Sequence, residues 1–296
     1  MDIYENNVYD LQNELGRNVP ELKTDVLIGS LKDRETVFSL MDRYRPDIVY
    51  HAAGYKHIPF MSSRPKEELK NNVFGTMNLA EAASYFGTKK FIYLSTNKVY
   101  EELNILGISK KLGEMTVQGI SQPSTKTKFC SVRFGNVLGS SGSVMSLFEK
   151  QIQDGGPVTV THKDIERNFL TLTDTAKLIV QAGAMTKGGE IFVLDKGVRV
   201  KIYDLAVNFI KLKGLKPNED INIEVIGLRN EEQLIEEVGR DSESKNTDFD
   251  GISIANPWKM NYNKLNLHLK FLRENIERIT NDMLFEELGM ISPELN

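Results

Sequence analysis

The chain has almost none of the residues that staple small domains or bind metals. A single cysteine, Cys130, in 296 residues excludes an intramolecular disulfide, and the four histidines join no Cys/His cluster of zinc-ligand spacing, so no metal site is expected. It also has no excess of charge of one sign. Lys and Arg total 37 against 41 Asp and Glu, a formal charge of −4, which excludes a general nucleic-acid backbone binder and leaves anionic ligands to local positive charge. No apolar run reaches the roughly 20 residues that span a bilayer. Met1–Pro20 is acidic and amide-rich, unlike a signal peptide or anchor, so the expectation is a protein with no membrane segment in a reducing cytoplasm. Internal repeats and low-complexity tracts are absent too. What is present, 40% hydrophobic and 26% charged residues, is enough for a sizeable core.

Apolar runs alternate with amphipathic stretches through the first two thirds of the chain, the pattern of strand–helix–strand units on a parallel sheet. Strands are expected at Asp25–Ile28, Asp47–Ala53, Lys90–Ser95, Phe129–Phe134, Pro157–Thr161 and Glu190–Leu194. Helices are expected at Asp33–Tyr44, Asn72–Phe86, Ile105–Ile120, Val144–Gln153, Asp174–Met185 and Ile202–Leu212. Gly135–Ser143 reads as a glycine and serine loop, and Asp241–Asp250 as a polar, mobile one. Tyr262–Leu288 looks helical, although Leu265, Leu267, Leu269 and Phe271 do not fall on one stripe.

Ser95–Lys110 (STNKVYEELNILGISK) is the segment richest in chemistry, with a Ser-Thr pair at a strand end and Lys110 directly after Ser109 on the next helix. Taken alone, Lys98 and Lys110 read as solvated helix-face cations. The context changes that reading. The ordered segments HAAGYKHIPFM (His51–Met61), NNVFGTMNLAEAA (Asn71–Ala83), LSTNK (Leu94–Lys98), RFGNVLGSSGSV (Arg133–Val144), GGPVTVTH (Gly155–His162) and GGEIFVLDKG (Gly188–Gly197) resemble the CapD-like polysaccharide biosynthesis family. This family comprises nucleotide-sugar 4,6-dehydratases and related epimerases of the extended short-chain dehydrogenase/reductase superfamily.

The resemblance implies an α/β fold: a Rossmann-like doubly wound parallel sheet with a smaller C-terminal substrate-binding lobe. The expected division is a partial NAD(P)-binding domain over 1–155, a substrate lobe with interleaved segments over 156–240, and a C-terminal loop and helical extension over 241–296. It also implies NAD or NADP as cofactor, a UDP-sugar as substrate, a homo-oligomer, and no nucleic-acid partner. Thr96, Asn97, Lys98 and Lys110 then take the catalytic positions; Ala52, Ala53, Lys56, Asn72 and Lys110 face the cofactor; Asn136, Arg167, Arg229 and Glu232 face the nucleotide sugar. His57 and His162 read as packing or capping imidazoles, ahead of any catalytic role. The implied function is 4,6-dehydration of a UDP-N-acetylhexosamine for capsule or glycan assembly. The alternatives are a truncated or catalytically impaired nucleotide-sugar-binding relative, and a UDP-sugar epimerase.

Several positions depart from the family pattern. Asn97 replaces the Asp of the STDK motif, Leu106 occupies the Tyr or Met position before the helix lysine, Ser30 stands where an Asp is usual, and GLRNEEQ (Gly227–Gln233) replaces GLRPGEK. Met1–Leu15 resembles the segment after the family's second strand, so the first strand and its glycine loop are expected to be missing and cofactor binding to be weak.

Overall fold

Phe91, Ile92 and Tyr93 are buried in succession, as are Phe129 and Cys130, and such runs persist only where a sheet is covered on both faces. A computed structural model of the chain describes residues 1–56, 63–100, 105–121, 126–140, 142–194, 197–229, 232–235 and 244–291. Helices α1 (Glu5–Asn18) and α2 (Arg34–Tyr44) precede strand β1 (Ile48–His51). Helix α3 (Pro65–Leu69) runs through a wider π-helical turn, Lys70–Phe74, into α4 (Gly75–Phe86). Then come β2 (Lys90–Thr96), a 3₁₀ turn at Asn97–Tyr100, α5 (Ile105–Ile120), β3 (Lys128–Phe134), the short β4 (Asn136–Val137), α6 (Val144–Gln153), β5 (Val158–Val160) and β6 (Glu166–Leu170). Helix α7 (Leu172–Met185), β7 (Glu190–Leu194), β8 (Val198–Lys201), α8 (Ile202–Leu212), β9 (Ile223–Val225), β10 (Lys245–Asn246), β11 (Ile252–Ala255), α9 (Tyr262–Asn275) and α10 (Asn281–Ile291) complete the order.

The main sheet has the order β1-β2-β3-β7-β11-β10. Its first four strands are mutually parallel, and β11 and β10 add in antiparallel fashion at the far side. This is the expected α/β, Rossmann-like sheet. Among the described residues β1 is its terminal strand, with Ile48 and Tyr50 partly exposed. The sheet takes β7 from within the stretch 156–240 and β11 from 241–296, so the sequence divisions interleave in space. Two smaller sheets, β4-β6-β8 and β5-β9, sit with α6 and α8 around a separate apolar cluster that includes Phe148, Val158, Phe169 and Phe209.

Local chemistry explains most boundaries. Asp33 caps α2 by accepting from Thr36 N at 3.2 Å, and Arg45 ends it in the left-handed region at φ 44°, before Pro46. Pro65 opens α3 at its first turn, where its missing N–H costs nothing. The structure corrects four expectations. Asp25–Ile28 forms no strand: Ile28 makes one isolated bridge to Asp2, too little pairing to hold an extended run. The helix expected at Asn72 starts at Pro65, because the π turn lets it continue across Lys70–Phe74. The polar stretch expected as a loop contains β10, which pairs on β11; residues 241–243 lie outside the described residues. The C-terminal helical segment breaks into two, with Leu265, Leu269 and Leu272 facing inward while Leu267 and Phe271 face out.

Helix α5 is buried on nearly every residue, Lys110, Lys111 and Glu114 included. Glu114 meets Arg133 of β3, whose Nε donates at 2.9 Å to Oε1 and whose Nη2 donates at 2.6 Å to Oε2; both side chains are fully buried. The guanidinium lies 5.0 Å from the ring centroids of both Tyr100 and Trp258, which are 6.0 Å from each other, so the two rings cover it from one side. Trp258 Nε1 also donates to Glu114 Oε2 at 2.8 Å, and Gln118 holds the Trp258 backbone at both its N–H and its carbonyl. Removing one partner from such a pair leaves an uncompensated buried charge. Glu114→Ala is therefore expected to lower the unfolding free energy in urea by about 3–5 kcal/mol. Trp258→Phe, which keeps an aromatic ring but loses the N–H donor and part of the indole's packing, should cost less, about 1–2 kcal/mol. Equal costs for the two variants would show that the ion pair is not the dominant element.

Candidate active site

The parallel strands end side by side, and in open α/β sheets the crevice beyond those ends is where ligands bind. Three loops meet there: the small-residue segment after β1, the 3₁₀ turn after β2, and Gly135–Asn136 after β3. His51 closes β1 and is buried, whereas Ala52, Ala53 and Gly54 after it are exposed. His51 Nε2 lies 2.8 Å from Thr76 Oγ1, and Thr76 donates its own hydroxyl proton to Asn72 O at 2.6 Å. Nε2 therefore carries the proton, and Nδ1 is left buried without a partner. Burial, reinforced by the Lys110 charge, pushes the imidazole down to about 3, so His51 is a neutral packing group.

Asn72 sits in the π turn and clamps the loop after β1. Its Oδ1 accepts from Tyr55 N at 2.8 Å and its Nδ2 donates to Tyr55 O at 3.1 Å and to Ser109 Oγ at 3.2 Å. Lys110, one residue beyond Ser109, is buried, donates to Leu94 O of β2 at 3.0 Å, and lies over the Tyr93 ring at 4.9 Å. Desolvation lowers its ammonium to about 8 against the opposing pull of Glu68 and Glu114. A Cβ at Gly54 would stand 3.1 Å from both Asn72 Oδ1 and Lys110 Nζ, tighter than ordinary contact, so glycine lets the loop approach both without pressing on them. The solvated reading of Lys110 taken from the isolated sequence is thus replaced by a buried cation at the crevice.

Thr96 ends β2 and accepts from Lys98 N at 3.3 Å, capping the turn that carries Asn97. Among the described residues Ser95 Oγ, a hydroxyl that can donate or accept, and Asn97 Oδ1, an acceptor, are both buried without partners at one strand end. Asn97 Nδ2 also lies near Gly135, which leads into Asn136; Asn136 in turn donates to Asn168 O at 3.2 Å. Next to it on β6, Arg167 donates to Gln233 O at 2.9 Å, to Glu166 O at 2.8 Å and to Glu232 Oε1 at 3.3 Å, while Glu232 Oε2 accepts from Arg229 N at 3.3 Å. Arg167, Glu232 and Arg229 therefore form one cluster, with the Arg229 side chain exposed. Lys56 is exposed, and partial burial draws its ammonium below the ordinary range. His162 accepts from Asp164 N at 3.1 Å, a turn-capping contact. His57 lies outside the described residues.

Two buried acids here had no counterpart in the sequence reading. Glu68 and Glu114 carry no motif, and a glutamate on a helix ordinarily reads as solvent-facing. Ser30, where the resemblance places an Asp, accepts from Lys32 N at 3.2 Å in the turn before α2.

The family described as "Polysaccharide biosynthesis protein" matches residues 1–257. Capsular polysaccharide biosynthesis protein CapD of Staphylococcus aureus is 44% identical over 235 residues, covering 79% of this chain and 39% of that protein, so the chain spans about two fifths of that relative. UDP-N-acetylglucosamine 4,6-dehydratase (inverting) of Campylobacter jejuni is 34% identical over 212 residues, 71% of this chain and 60% of that one. Among solved structures, Pen from Bacillus thuringiensis superposes with a TM-score of 0.76 at 32% identity, covering 86% of this chain and 79% of its own. Among the described residues no helix is long and apolar enough to cross a membrane, and no group of three or more His, Cys, Asp and Glu could hold a metal ion.

The site makes stability depend on pH in opposing ways. Between about 6.5 and 3 the unfolded chain binds a proton at residue 51 that the native state refuses, so His51 removes stability as pH falls. Glu68, raised from 4.5 to about 7 by burial, keeps a proton in the native state that the unfolded chain releases between those values, so it removes stability as pH rises from about 4.5 to 7. His51→Gln should therefore uncover the Glu68 slope. Relative to the parent chain, its unfolding free energy in urea is expected to improve by about 1.4 kcal/mol per unit of acidification below pH 6.5. Parallel profiles for the two proteins would refute the neutral, buried assignment of His51.

Proposed function

Because the chain belongs to the polysaccharide biosynthesis protein family, we propose that it acts as a nucleotide-sugar 4,6-dehydratase on a UDP-N-acetylhexosamine, with NAD or NADP, in surface polysaccharide or glycan assembly. The observation that carries this reading is Lys110: a buried cation at the parallel strand ends, fixed by Leu94 O and Tyr93 and poised at about 8. The residues present suit the nicotinamide-ribose half of a dinucleotide. The exposed Ala52–Gly54 backbone permits close approach, the Ser95 hydroxyl and Asn97 Oδ1 are buried polar atoms without partners among the described residues, and Lys110 supplies the charge. When bound, the nicotinamide supplies the place where a hydride from sugar carbon 4 is held before it returns to carbon 6.

In this reading Lys110 holds positive charge beside the sugar hydroxyl at carbon 4 and eases removal of its proton. Thr96 orients the sugar by its hydroxyl, and Lys98, on the same turn, takes the carbon 5 proton that the carbon 4 ketone acidifies and passes it to the carbon 6 hydroxyl, which leaves as water. Ala52, Ala53, Lys56 and Asn72 form the cofactor-facing wall. Arg167, Arg229, Glu232 and Asn136 receive the nucleotide, where guanidinium groups suit phosphates and a carboxylate suits ribose hydroxyls. A second reading, epimerisation at carbon 4 or binding without elimination, is favoured by Asn97, whose amide forms hydrogen bonds but passes no proton.

Calorimetry of the purified chain with NAD(P)⁺, with and without UDP-N-acetylglucosamine, is expected to give saturable cofactor binding. Lys110→Met should lower turnover by about 10²–10⁴-fold with sugar-nucleotide affinity retained, and Asn97→Asp should raise the yield of the 4-keto-6-deoxy product. Sugar-nucleotide binding with no cofactor binding would overturn the dehydratase reading in favour of a non-catalytic relative.

A further inference from the structure

One buried acid at the site has no part in that function. Glu68, in α3, is fully buried; Ser109 Oγ donates to its Oε1 at 3.0 Å, Asn72 Nδ2 donates to the same oxygen, and Oε2 meets no donor among the described residues. We infer that Glu68 is a positioning residue of the site, tying the Asn72 turn to Ser109 of α5 and presenting the negative charge that keeps the Lys110 ammonium in its buried place. The inference rests on reading Lys110 as the site lysine.

Two paths lead from this carboxylate to the same point. Through Asn72 it reaches the Tyr55 backbone and so the loop after β1; through Ser109 it reaches the helix turn that projects Lys110. The paths converge at Gly54, where Asn72 Oδ1 and Lys110 Nζ both lie 3.1 Å from the position a Cβ would take. A change at Glu68 therefore alters the lysine's surroundings and the loop it faces together.

The charged and titratable groups facing Lys110 are Glu68 from α3, Glu114 one turn along α5, His51 at the end of β1 and Tyr93 on β2. His51 stays neutral, and burial with the nearby Glu114 holds the Tyr93 phenol well above its ordinary range, so neither supplies charge at neutral pH. Glu114 is already engaged by Arg133 and Trp258. Glu68 acts on Lys110 through space, its own hydrogen-bond donors being Ser109 and Asn72, which tie it to the turn that carries the lysine. Burial raises the carboxyl to about 7 and lowers the ammonium to about 8, and each charge restrains the other's shift.

The test is the pH dependence of Lys110 acetylation by acetic anhydride, followed by mass spectrometry on the full chain without cofactor or sugar nucleotide. The parent chain should show a midpoint of about 8. Glu68→Gln, which keeps a hydrogen-bonding oxygen but loses the charge, should move the midpoint roughly one pH unit toward acid and raise labelling at pH 7 about fivefold. Glu68→Asp, which keeps the charge, should restore the parent midpoint. An unchanged midpoint in a folded Glu68→Gln protein overturns the proposal. Should that variant not fold, Lys110→Met decides: the Glu68 carboxyl, followed by ¹³C NMR, should titrate above the parent value, and an unchanged value overturns the proposal. Because no measurement uses turnover, a coupled pair in a chain with no dehydratase activity would refute the proposed function alone, and an uncoupled pair in an active chain would refute the Glu68 assignment alone.

Discussion

A helix buried on nearly all sides yet bearing charge is the constraint around which this protein is arranged. Helix α5 carries Lys110, Lys111 and Glu114 into the interior, and an unneutralised charge there would cost several kcal/mol. Each charge is met in place. Glu114 receives Arg133 from β3 and the Trp258 indole, Lys111 lies over the Trp258 ring at 4.8 Å, and Lys110 reaches Leu94 O and the Tyr93 ring. Satisfying the helix thus fixes the sheet beneath it and the C-terminal segment above it.

The same arrangement builds the crevice. Where α5 passes the end of β2, its first turns contribute Ser109 and Lys110, and the π turn before α4 contributes Asn72 on the opposite side. An extra residue in a helical turn re-aims the side chains beyond it, and such turns recur at functional sites. Gly113 provides the matching allowance on α5, since a Cβ there would fall 2.3 Å from the Tyr93 hydroxyl and expel the ring that underlies Lys110. Small residues at Gly54 and Gly113 are therefore as necessary to the lysine's position as its polar partners.

Much of this was readable from the chain. Helices Ile105–Ile120, Val144–Gln153 and Ile202–Leu212 and strand Glu190–Leu194 have the limits that their periodicity predicts, because apolar spacing and packing agree there. Helix α1 is not among the expected elements, as Val8 is its one buried residue. Strands β6, β8, β9 and β11 were not foreseen, being short and, in β8 and β9, largely exposed, so pairing partners rather than sequence define them. At the site, the resemblance singles out Lys110, Asn72 and the Arg167–Glu232–Arg229 group, and the structure puts Lys110 and Asn72 on either side of Gly54 and joins the other three by hydrogen bonds. Glu68 and Glu114 escaped because nothing in a local sequence distinguishes a glutamate facing water from one facing a buried lysine or arginine.

Trp258 lies 144 residues beyond the glutamate it bonds. During synthesis, at about 5–20 residues per second, the ribosome delivers Glu114 and Arg133 roughly 7–30 s before the indole that covers them. Over that interval α5 and β3 can pair, but the guanidinium lacks one of the two rings that cover it and the carboxylate one of its donors. The nascent chain therefore emerges with its most costly charges half-housed and reaches its final order only when the segment around Trp258 folds back across the sheet.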